Sequence, residues 1–101
     1  MNNQTKKLPE HKLIKTIQSL HEPALHTLER LLEQRKANLR KRNDDEQKAA
    51  VNRQEFVKAI HEDHRISFWY ANEVVMSLKR SGEIKCFGSF INLPEINEGE
   101  S

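Results

Sequence analysis

With 36% hydrophobic and 32% charged residues, the 101-residue chain has material for one small core and a large polar surface. Its 17 basic and 15 acidic residues leave a formal charge of +2, too balanced for bulk electrostatics to impose a polyanionic partner. One cysteine, Cys86, excludes an intramolecular disulfide, and no stretch nears the roughly 20 apolar residues of a membrane span or the apolar run of a secretory signal, so no membrane association and a cytoplasmic location are expected.

Residues 1–9 are polar and aperiodic and predict a flexible N-terminus; residues 95–101, acidic and small, predict a flexible acidic tail. Between them, Leu13, Ile17, Leu20, Ala24, Leu28 and Leu31 recur at spacings of three and four, with Leu25, Leu32 and Leu39 broadening the stripe. Pro23 interrupts this pattern but is tolerated at a helix start, which predicts a short helix over 10–21 and a longer one from Pro23 to Arg42. So small a chain often gains burial by association. The leucine seam of 10–42 is therefore expected to pair two chains through Leu13, Ile17, Leu20, Leu25, Leu28, Leu31, Leu32 and Leu39, as a short coiled coil, with packing on the C-terminal part of the same chain as the other arrangement open to it.

Charge is unevenly placed along the chain. Residues 29–42 hold six cations and two acids, and residues 83–101 hold one cation and four acids. The run from Arg35 to Arg42 reads first as a solvated helix face, with a supporting phosphate contact as the sharper reading.

Asn43 to Glu46 compete locally for backbone hydrogen bonds and predict a break, making 43–51 the expected linker. Asn52, three residues before Glu55, has capping-box spacing for a helix from Arg53 to Glu62 carrying Phe56, Val57 and Ile60. Ser67 is a good N-cap for a helix of about 14 residues with Phe68, Ala71, Val74, Val75 and Leu78 at core spacing, and Gly82 is its stop. Ile84 to Phe87 and Phe90 to Leu93, joined by Gly88-Ser89, predict two strands and a tight turn. The fold class expected is mainly α with a small C-terminal β-hairpin.

The order of helix, turn, helix and hairpin over 52–94 resembles the winged helix-turn-helix family. The resemblance is carried by Phe56, Val57 and Ile60, the Arg65-Ile66-Ser67 entry, the exit from Leu78 to Ile84 and the hairpin from Ile84 to Leu93. It implies an N-terminal helical, dimerising segment followed by a module whose second helix enters the DNA major groove while the hairpin meets the backbone. By that resemblance the DNA-contacting residues are Arg53, Lys58, Arg65, Ser67, Asn72, Ser77, Lys79 and Arg80, with Lys85 and Ser89 on the hairpin. The segment Ile84 to Phe90, with Phe87-Gly88-Ser89-Phe90, also looks like the strand turn after the two N-terminal helices of the histone-like HU and IHF family. Both resemblances imply double-stranded DNA as partner and a small regulator of transcription or DNA maintenance.

Trp69, Tyr70 and Met76 on the same helix offer a competing surface for a protein partner, because aromatic residues and methionine are enriched at protein interfaces. Trp69 and Tyr70, one residue apart on a helix, point about 100° apart and cannot enter one core together. The five histidines lack metal-ligand spacing and read as solvated surface groups, and Cys86 reads as a small buried residue. With no glycine-rich phosphate loop and no spacing of nucleophile and base, the sequence predicts a binding protein without cofactor or metal, not an enzyme.

Overall fold

The structure is a computed structural model that describes residues 10–94; the expected flexible ends, 1–9 and 95–101, lie outside the described residues. Among the described residues four helices are followed or interleaved by three short strands. They are α1 (Glu10–Ser19), α2 (His21–Lys41), β1 (Val51–Asn52), α3 (Arg53–His64), α4 (Phe68–Ser81), β2 (Lys85–Phe87) and β3 (Phe90–Asn92), with a 3₁₀ turn at Glu46–Lys48. The fold is mainly helical, with one antiparallel sheet in the order β1-β3-β2.

The helix boundaries follow local chemistry. Pro23 lies in the first turn of α2, where its missing N–H has no intrahelical partner to lose. Asn43 takes a left-handed backbone at φ 58°, and the N–H groups of Asn43 and Asp44 donate to the carbonyls of Arg40 and Leu39 at 3.0 and 2.8 Å, closing α2 with a Schellman pair. Gly82, at φ 81°, closes α4 in the same way through Gly82 N–H to Lys79 and Glu83 N–H to Leu78, both at 3.1 Å. Ser67 Oγ caps α4 by accepting from Tyr70 N–H at 3.1 Å. Asn52 caps α3 through Gln54 N–H at 2.8 Å, but the expected capping box does not close, because the Glu55 carboxylate pairs with Arg35 of α2.

One hydrophobic core runs through all the elements. Its largest fully buried side chains are Phe56, Leu28, Ile60, Leu78, Ile91, Val51, Val74 and Val75, from α2, β1, α3, α4 and β3. Segment 43–51, expected as a linker, is instead part of this unit: it holds the 3₁₀ turn and starts β1, and Ala49 and Val51 are buried. β1 was not foreseen. Val51 pairs with Ile91 and Asn52 with Phe90, so the chain just before α3 covers the edge of the hairpin.

The leucine seam is also consumed within the chain. Ile17, Leu28, Leu31, Leu32 and Leu39 are buried against the rest of the fold, and Leu13, Leu20 and Leu25 pack partly buried beside them. In the structure these residues line an intramolecular core, the other arrangement open to the seam. The physical reason is the scarcity of apolar material: α3, α4 and β1 present apolar faces that have no other cover.

Arg65, which ends α3, sits at φ 56° without being glycine and is exposed. A β-carbon in this region costs about 1 kcal/mol. Arg65→Gly is expected to raise stability by up to about 1 kcal/mol in a urea melt, less what glycine gains in the unfolded chain; a drop of similar size would show that the Arg65 side chain itself holds the turn.

Candidate nucleic-acid interface

The outward side of α4 carries Trp69, Asn72, Glu73, Met76, Lys79 and Arg80 at helical spacing, while Ala71, Val74, Val75 and Leu78 are buried. Trp69 and Met76 are 45% and 37% exposed. Tyr70 turns instead toward the core and meets Trp69 edge to face at 5.1 Å between ring centroids, as their angular separation requires.

Arg53, the first residue of α3, ties this surface together. Its side chain donates to Asn72 Oδ1 at 2.6 Å, and its backbone N–H donates to the Ser89 carbonyl at 2.7 Å. The first bond fixes the Asn72 amide, whose Nδ2 is 3.8 Å from Met76 Sδ; the second pins the hairpin turn to the start of α3. Arg53, Met76, Lys79 and Arg80 line one shallow hollow. Arg53 thus touches both the half-buried Asn72 amide and the hollow that Lys79 and Arg80 line two turns further along α4, an arrangement suited to phosphate contact with one polar base reader.

The other residues expected at DNA divide. Lys85 is exposed on β2 and approaches the Phe87 ring at 5.4 Å. Arg65 and Ser67 lie at the far end of α3, about 18 Å from Arg53 along a helix of 12 residues. Ser67 is engaged in capping. Lys58 is exposed but about 140° round α3 from Arg53 and does not join the cluster. Ser77 is half-buried, with its Oγ 2.8 Å from His21 Nε2, and does not join the cluster.

That contact belongs to a set of histidines that the sequence read as solvated. In the neutral ring, His21 Nδ1–H donates to Glu83 Oε2 at 3.2 Å and Nε2 accepts from Ser77, joining the start of α2 to the end of α4. His61 Nδ1–H donates to the Ile66 carbonyl at 2.6 Å and stacks on Phe68 at 3.9 Å, bracing the turn between α3 and α4. His64 Nε2 is 3.1 Å from Thr27 Oγ1, which is itself 2.9 Å from Asp63. The buried Thr27 hydroxyl has one proton, and donating it to Asp63 leaves its oxygen to accept from His64 N–H. In that tautomer the three side chains tie α2 to the end of α3.

Two aromatic residues that the sequence places on the hairpin were not assigned to a surface. Phe87 and Phe90 oppose each other across the hairpin and are 52% and 50% exposed. The signal was present: alternation along Ile84, Lys85, Cys86 and Phe87 puts Phe87 on the Lys85 face, opposite the buried Ile84. Gly88, at φ 58°, makes the tight turn that sets the two residues opposite each other.

Among the described residues no group of His, Cys, Asp or Glu is arranged to hold a metal ion, and no helix is long and apolar enough to cross a membrane. Compared with protein-family models, with curated proteins and with solved structures, the chain matches none.

Proposed function

We infer that the chain is a binding module for double-stranded DNA of the winged helix-turn-helix type, a small regulator of transcription or DNA maintenance. In this reading α4 enters the major groove and the β2–β3 hairpin lies against the backbone. The observation that carries it is the Arg53 clasp, which joins Asn72 of α4 and the Ser89 turn of the hairpin beside Lys79 and Arg80. Asn72 would read an adenine edge, and the cations would neutralise phosphates. β1 supports the same reading over the histone-like one, since a strand added to the hairpin edge stiffens a compact wing. The reading needs no second copy held by the leucine seam.

A protein-docking role for the same helix is favoured by the exposed Trp69 and Met76. Glu73 between them would oppose phosphate, whereas Arg53, Lys79 and Arg80 would attract it, and the cations outnumber the acid. A mobility-shift assay with mixed genomic fragments over a salt series tests the DNA reading. Retardation that weakens steeply with salt is expected; none even at about 50 mM salt, where counterion release is strongest, overturns it.

A further inference from the structure

A second group of cations lies away from the α4 surface, at the other side of the α3 N-terminus. Arg35, Lys41, Arg42 and Lys48 line a hollow with Asn38, over a floor of Leu39, Ala49 and Ala50. Among the described residues no carboxylate is part of its lining. Two of the cations have ion pairs, Lys48 with Asp44 at 3.1 Å and Arg35 with Glu55, while Lys41 and Arg42 are exposed at the last turn of α2. The Asp45 backbone N–H and then Lys48 hold the Asp44 carboxyl below its ordinary range, so Asp44 stays ionised and fixes Lys48 at the rim.

The hollow is tied to the Arg53 surface by chain and by contact. From Ala50 to Arg53 is three residues of extended chain, about 10 Å, and the Arg35–Glu55 pair fastens the rim to the first turn of α3. That separation is comparable with the advance of a DNA strand over three nucleotides, at about 3.4 Å each. A duplex gripped by Arg53, Lys79 and Arg80 would pass this hollow if its backbone ran along β1 toward the end of α2.

We propose that the hollow formed by Arg35, Lys41, Arg42 and Lys48 is a second phosphate-backbone site, which extends the footprint of α4 and the hairpin onto the end of α2. The proposal rests on the DNA reading above. It explains why the positive charge of the chain gathers on residues 29–42, outside the nearly neutral helix pair: the module alone holds too few cations to grip a polyanion, and the end of α2 supplies the rest.

The test compares four full-length proteins on one 24-base-pair duplex: wild type, Lys41→Ala with Arg42→Ala, Lys79→Ala with Arg80→Ala, and the fourfold variant. Binding is measured by fluorescence anisotropy between about 50 and 500 mM salt, and thermal melts verify the fold. Each lost phosphate contact reduces the slope of log affinity against log salt by about 0.9. Each double variant is expected to lower the slope by about 2, the fourfold variant by about 4, and the charge-conserving Lys41→Arg with Arg42→Lys pair to keep the wild-type slope. If the Lys41/Arg42 variant keeps the wild-type slope while the Lys79/Arg80 variant loses it, the second site is refuted and the DNA reading stands. If the Lys41/Arg42 variant alone loses slope, the hollow is a polyanion site and the α4 assignment falls. Absence of wild-type binding overturns both.

Discussion

Replacing Lys79 and Arg80 together by alanine is expected to weaken DNA binding about two-hundredfold at about 50 mM salt and only about fourfold at about 500 mM. The difference is the diagnostic part. A cation that neutralises one phosphate releases roughly 0.9 counterion, worth about fifteenfold in affinity at the lower salt and about twofold at the higher. Two such contacts multiply. A penalty that did not shrink with salt would mean that the substitution had damaged the fold or removed an uncharged contact. Fold damage is not the expectation, because both side chains are exposed and neither enters the cap of α4, which is made by backbone groups at Gly82 and Glu83. Unchanged binding at low salt would remove α4 from the interface altogether.

Arg53 differs from these two in kind. Its guanidinium already holds Asn72, so it acts on the reading surface from behind as well as by charge. This bond was beyond the reach of sequence. Arg53 and Asn72 are 19 residues apart, and only the packing of α3 on α4 brings them together. The same holds for His21, Ser77 and Glu83, whose network spans more than 50 residues. Local signals were legible because their physics is local: the Ser67 cap, the Gly82 stop and the Gly88 turn each depend on a few neighbouring dihedrals. β1 was not, because two residues carry no periodicity and become a strand only when Ile91 and Phe90 offer backbone partners. Capping at Asn52 was legible but the fate of Glu55 was not, since Arg35 on another helix competes for the carboxylate.

The leucine seam is the case in which a correct pattern admitted two partners, and Leu28→Ala read beside a dilution series separates them. Periodicity says that one face of α2 must be covered; it does not say by which chain. In the structure Leu28 is fully buried among residues of its own chain, so truncation leaves a cavity within the monomer. The cost expected is about 3 to 5 kcal/mol, a fall of roughly 15 °C or more in melting temperature for a domain of this size. Glu29→Ala, on the exposed neighbouring position, should stay within about 0.5 kcal/mol. The decisive control is concentration. If Leu28 joined two chains, a hundredfold dilution would weaken the folded state by about 2.7 kcal/mol per dimer and lower the melting temperature of the wild type; a seam closed within one chain predicts no such shift. A dilution-dependent melt would return the seam to an intermolecular role, and the duplex would then be met by two copies of the α4 surface in place of one.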